Sequence, residues 1–157
     1  MKHSIVDLAI FGGNTEFESL LHVGRPNIGN REYFLSQVNE VLDNRWLTNS
    51  GPKVNEFERK IEEYIGVKHA IAITNGTVAL ELLIRAAGIK GEVIIPSFTF
   101  VACAHAFQWQ EIKPVFCDID PNTHNIDPAE IEKHITPNTT AIMGVHLWGR
   151  PCNIEVL

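Results

Sequence analysis

From Val67 onward, short apolar runs alternate with stretches of helical spacing, and this alternation restricts the chain to an α/β layer. The runs fall at 69–74, 92–96, 114–118 and 140–146. Helices are predicted over 77–87 and 127–135, with a shorter one near 101–109 and Gly88 ending the first. The 127–135 segment carries the best start signal. Asp127 is a good N-cap, Pro128 fits the first turn, and Glu130 stands where a capping box places its acid. Ile126 and Ile131 are spaced to close as a hydrophobic staple. These are signals of fold, with no bearing on catalysis.

The part before Val67 reads differently. Residues 1–29 hold Gly12, Gly13, Gly24, Pro26 and Gly29 with little periodicity, which predicts an extended arm. Residues 30–66 read as a helical entry segment. Asn30 caps a helix with Phe34, Val38, Val41 and Leu42 at helical spacing. Trp46–Pro52 is a loop, and a second helix follows with Val54, Phe57, Ile61, Tyr64 and Ile65 on one face before Gly66 stops it. Residues 67–157 form the third part, the α/β layer.

With 157 residues, 45% hydrophobic and 20% charged, the chain is long enough to bury one core. A net charge of −6 without a Lys/Arg cluster argues against unspecific nucleic-acid binding. It does not exclude an anionic ligand, because backbone amides bind phosphate unaided. Cys103, Cys117 and Cys152 form no CxxC pair and read as reduced residues of a cytoplasmic protein. The seven histidines show no ligand spacing, so no metal site is expected. The start of the chain, Met1-Lys2-His3-Ser4 and the short apolar stretch after it, is too polar for a signal peptide or membrane span.

Three places suit chemistry. At Asn75-Gly76-Thr77 a predicted strand meets a helix whose first amides and dipole favour a phosphate; spacing alone favours an ordinary N-cap. Phe100 ends Pro96-Ser97-Phe98-Thr99-Phe100, where a ring could stack on a flat heterocycle but on position alone is expected to pack in the core. His146 and Trp148 close the last predicted strand, where ligands of open α/β sheets gather. Asp118 and Asp120 precede a proline turn without a third carboxylate at ligand spacing, so they read as turn residues rather than metal ligands.

Asn75-Gly76-Thr77-Val78-Ala79-Leu80, Pro96-Ser97-Phe98-Thr99-Phe100 and Val145-His146-Leu147-Trp148-Gly149-Arg150-Pro151 together resemble the DegT/DnrJ/EryC1/StrS family of pyridoxal-phosphate-dependent sugar aminotransferases. The resemblance implies the N-terminal part of the large domain of a fold-type I transferase, a mostly parallel sheet with flanking helices, here incomplete. It implies pyridoxal 5'-phosphate as cofactor, its phosphate held by Gly76, Thr77 and Val78 and its ring packed by Phe100. Trp46–Pro52 resembles the family's substrate loop, which places Thr48 and Gly51 near the substrate, with His146 shaping the pocket. Phe11-Gly12-Gly13 and His22–Asn27 resemble the branch acting at the 4-keto position of dTDP-4-keto-6-deoxyglucose. The implied partners are a nucleotide sugar, glutamate as amino donor and a second copy in a homodimer, with no nucleic acid and no membrane.

In the family, the Schiff-base lysine and the acid facing the pyridine nitrogen lie in later motifs, beyond the position of Leu157. None of Lys2, Lys53, Lys60, Lys68, Lys90, Lys113 and Lys133 stands in the family's lysine motif, so no catalytic residue is assigned. An isolated product of this length is expected to leave an unpaired sheet edge and an uncovered apolar face, to fold marginally or aggregate, and, without the lysine motif, to be inactive. Two alternatives remain: a non-catalytic truncated paralogue, and a sugar dehydratase of the same superfamily. A dinucleotide-binding domain lacks support, because no G-x-G-x-x-G follows a strand.

Overall fold

The computed structural model describes residues 4–22 and 24–157, in two compact units, 4–56 and 57–157. Met1, Lys2, His3 and Val23, which fall in stretches named in the sequence reading, lie outside the described residues. Among the described residues no helix is long and apolar enough to cross a membrane.

In the first unit, α1 (Arg31–Asp43) starts where Asn30 was expected to cap it: the Asn30 carboxamide oxygen accepts from the Tyr33 amide at 2.9 Å. Among the described residues before it are two 3-10 turns, Ile5–Asp7 and Ala9–Phe11. Helix α2 (Pro52–Ile65) begins in this unit and runs into the second, and Gly66 ends it with φ +76.

In the second unit, β1 (Glu92–Pro96) is central, flanked by parallel β2 (Lys113–Cys117) and β3 (Thr139–Ile142) in the order β2-β1-β3. Right-handed crossovers then put the connecting helices on opposite faces. Helices α3 (Gly76–Ala86) and α4 (Ala102–Gln108) cover one face, where Ile84, Ala106 and Phe107 pack on Val93 and Ile95. Helix α5 (Pro128–Ile131) covers the other, where Ile126 and Ile131 pack on Ile94 and Cys117. Because successive residues of a strand point to opposite sides, β1 is buried along its whole length.

The amino end of the sheet is tied by Glu92, only 9% exposed. Its carboxylate accepts from Lys113 Nζ at 2.8 Å and from the Thr136 hydroxyl at 2.7 Å, joining all three strand starts. Gly91 beside it has φ +77, and a Cβ there would meet the Asn138 carbonyl oxygen at 2.5 Å. The bonds from Lys113 and Thr136 hold the Glu92 carboxyl below the usual carboxylate range. A depressed folded pKa stabilises the fold at neutral pH, and that contribution is lost as pH falls through the folded value. Urea midpoints should therefore drop on acidification below about pH 4. Glu92→Gln should flatten that part of the profile; a variant with the parent's acid slope would show the ion pair to be idle.

Several expected elements differ. Residues 69–74 form no strand: the Ala70 and Ala72 amides donate to the Glu62 and Glu58 carboxylates at 3.0 and 2.8 Å. A strand exists only in a ladder, and this segment pairs with none of the described strands. The run expected over 140–146 is paired as a strand only at Thr139–Ile142, with one further bond from the Met143 amide to the Ile94 carbonyl. Its neighbour β1 closes on Pro96, which has no N–H to donate. The 127–135 helix is one α-turn, Pro128–Ile131, followed by a 3-10 turn, Glu132–His134. Its capping box does not close: Asp127 caps the Ala129 amide, Glu130 turns to Lys133, and the Asp127 amide donates to the Asp118 carbonyl.

Candidate active site

The connection from α3 to β1 is only residues 87–91, so α3 packs antiparallel to β1 and its first turn lies toward the carboxyl end of that strand. Asn75 caps this turn: its side-chain oxygen accepts from the Val78 amide at 3.0 Å, and its carbonyl accepts from the Ala79 amide at 3.1 Å. The amides of Gly76 and Thr77 have no acceptor among the described residues. Gly76 is exposed and a Cβ on it would meet nothing within 4 Å, so the space beside this residue is open. The arrangement suits an anionic oxygen group, with the dipole of α3 behind it and the half-buried Thr77 hydroxyl beside it. Val78, expected with them, has its amide engaged by Asn75 and presents only its side chain.

Phe100 precedes α4 at the same sheet edge and is 74% exposed, so it is not a core residue. Nearby, the Ser97 hydroxyl donates to an Asp118 carboxylate oxygen at 3.4 Å. Asp120 closes an aspartate turn, accepting from the Asn122 and Thr123 amides at 2.7 and 2.8 Å. These bonds, Thr123's first, keep its carboxyl below the usual range. Among the described residues no group of three or more His, Cys, Asp or Glu is placed to hold a metal.

His146 follows β3 and accepts at Nδ1 from the Cys152 amide, 3.1 Å away. The neutral ring therefore carries its proton on Nε2. His146 lines an open groove of about 600 Å³ with Gly144, Cys152, Ile154 and Leu157. Cys103, Cys117 and Cys152 are buried and unpaired, and burial pushes the Cys117 thiol up.

Sequence reasoning missed Asn125. Only 6% exposed, it donates through Nδ2 to the Pro151 and Arg150 carbonyls at 2.9 and 3.3 Å. Its Oδ1 accepts from the Leu147 amide at 3.4 Å. It thus binds the loop after β2 to the loop after β3. The only local signal is a polar residue set directly before the buried Ile126.

In the first unit, Thr48 and Gly51 line a cavity of about 200 Å³ with Trp46, Leu47, Lys53 and Val54. Gly51 is buried, and a Cβ there would touch the Thr48 carbonyl oxygen at 3.4 Å. Lys53 is held by Glu40 at 2.7 Å; in the second unit Lys113 is held by Glu92 at 2.8 Å and Lys133 by Glu130 at 2.6 Å.

A three-stranded parallel sheet with a helix N-terminus toward the carboxyl end of its central strand defines an open α/β domain. Residues 29–157 match the DegT/DnrJ/EryC1/StrS aminotransferase family, and the chain belongs to that family. It is 39% identical over 138 residues to the dTDP-4-amino-4,6-dideoxy-D-glucose transaminase of Escherichia coli, a match covering 88% of this chain and 37% of that protein. It is 44% identical over 139 residues to the GDP-perosamine synthase of Caulobacter vibrioides, covering 86% of this chain and 36% of that protein. The crystal structure of DesI in the presence of its TDP-sugar product superposes with a TM-score of 0.86 at 49% identity, over 98% of this chain and 39% of DesI. The chain thus has the fold of part of these aminotransferases, and it spans between 36% and 37% of the length of those two curated relatives.

Proposed function

We propose that this chain is the cofactor-phosphate-binding front of a pyridoxal 5'-phosphate-dependent aminotransferase acting on a nucleotide-linked keto-deoxysugar. One observation carries the reading: the Gly76 and Thr77 amides lead α3 beside open space at Gly76, within Asn75-Gly76-Thr77-Val78-Ala79-Leu80. Pyridoxal phosphate, when bound, supplies the electron sink that lets an amino group move between donor and sugar. The Gly76 and Thr77 amides and the Thr77 hydroxyl grip the phosphate, Val78 walls the cup with its side chain, and exposed Phe100 sets the plane of the ring. His146 orients the turn beside the pocket through its bond from Cys152. Thr48 and Gly51 serve the sugar. Glutamate as donor and a homodimeric enzyme follow from the family likeness, and three buried, unpaired cysteines support a cytoplasmic setting. No lysine within the chain is assigned as the covalent anchor.

The related proteins' names support the substrate class, one being a dTDP-sugar transaminase and another a GDP-sugar enzyme. Thr77→Val preserves shape and removes a donor to a charged acceptor, so pyridoxamine 5'-phosphate should bind about tenfold more weakly in equilibrium dialysis. The urea midpoint should stay where it was. Undiminished binding would remove the phosphate assignment.

A further inference from the structure

Each loop at the carboxyl end of a strand contributes one ring to a cluster that the proposed reaction leaves unused. Phe98 follows β1, His124 follows β2 and Trp148 follows β3. Phe98 and Trp148 pack edge to face, with centroids 5.8 Å apart and planes at 84°. His124 lies 5.5 Å from Trp148 and 6.1 Å from Phe98.

Two of these residues sit in left-handed backbone, His124 at φ +59 and Trp148 at φ +51. Histidine tolerates that conformation, but a bulky tryptophan does not favour it and keeps it only where the surroundings impose it. Here they do. Buried Asn125, next to His124, clamps the backbone on both sides of Trp148 through Leu147, Arg150 and Pro151. Arg150 Nη1 adds a bond to the Asn122 carbonyl at 2.9 Å.

The result is a strained, anchored indole that is still 79% exposed. The contact with Phe98 fixes the ring without covering it. A fold that holds a large apolar ring rigidly in water, at the strand ends where β1 and β3 meet across the switch in chain direction, presents a stacking surface. The Arg150 guanidinium, with one N–H on Asn122, keeps other donors for an anion.

We infer that Trp148, braced by Phe98 and His124, is a stacking site for the flat heteroaromatic ring of a phosphorylated ligand, separate from Phe100. This deepens the proposed function and rests on it, since that reading supplies two such rings: a nucleobase and a pyridine.

Equilibrium dialysis of the purified chain against thymidine 5'-diphosphate, pyridoxamine 5'-phosphate and inorganic phosphate tests the site. Trp148→Ala should weaken one ring-bearing probe about tenfold, the usual loss when a stacking ring is removed. Trp148→Phe should restore most of that binding, and inorganic phosphate should not distinguish the variants. The probe that responds names the ring. Parent-like binding of both ring-bearing probes by Trp148→Ala, or binding of neither by the parent, overturns the site. Thr77→Val run alongside keeps the two readings apart: it should weaken pyridoxamine 5'-phosphate and leave thymidine 5'-diphosphate unchanged. Loss of that pattern with the Trp148 response intact removes the phosphate cup alone.

Discussion

Replacing Ile95 by alanine should destabilise the second unit by about 2–5 kcal/mol, the range for deleting a fully buried branched side chain. Ile95 has no exposed surface and packs with Val93, Ile84, Ala106, Phe107 and Ile112. It stands on the central strand, so the cavity opens beneath two helices that cannot both move in to fill it. Urea unfolding measured on parent and variant gives the difference directly. Phe100→Ala is the contrast. Its ring is largely in water, so its loss should change stability by less than about 0.5 kcal/mol. A difference below about 1 kcal/mol for Ile95→Ala would mean that β1 is not closed in by its helices.

The second large effect is at Asn125. Alanine there leaves the Arg150 and Pro151 carbonyls and the Leu147 amide without their partner, a loss of about 1–3 kcal/mol. Asn125→Asp should be worse despite its closer shape, because a carboxylate oxygen would then face two carbonyl oxygens in a buried position. Both should loosen the backbone that holds Trp148 and shift tryptophan emission, with the larger stability loss for aspartate. Should Asn125→Asp unfold at the parent's urea midpoint at neutral pH, the clamp would have no energetic weight.

The sheet and its helices were legible because they depend on local signals. The apolar run Val93–Ile95 needs no knowledge of its neighbours to read as buried. Asn30, Asn75 and Asp127 cap helices through bonds that reach no further than three residues. The turn at Asp120 is equally local. The failures share the opposite property. Residues 69–74 have strand composition, yet a ladder needs a partner that composition cannot supply, and carboxylates from α2 took the amides instead. Glu130 had the spacing for a capping box and was drawn to Lys133, while Asp118 took the bond that would have closed it.

The candidate site divides along the same line. Local order along the chain determined the capped helix start at Gly76 and Thr77, because such a start leaves its first amides without intrahelical partners whatever surrounds it. Tertiary structure alone decided that Phe100 lies in water rather than in the core, and that three rings from three strand ends meet. It also made Asn125 a clamp, through carbonyls 25 and 26 residues away. Hydrogen bonds and packing across such separations depend on how strands are ordered in space, and no periodicity of the chain encodes that order.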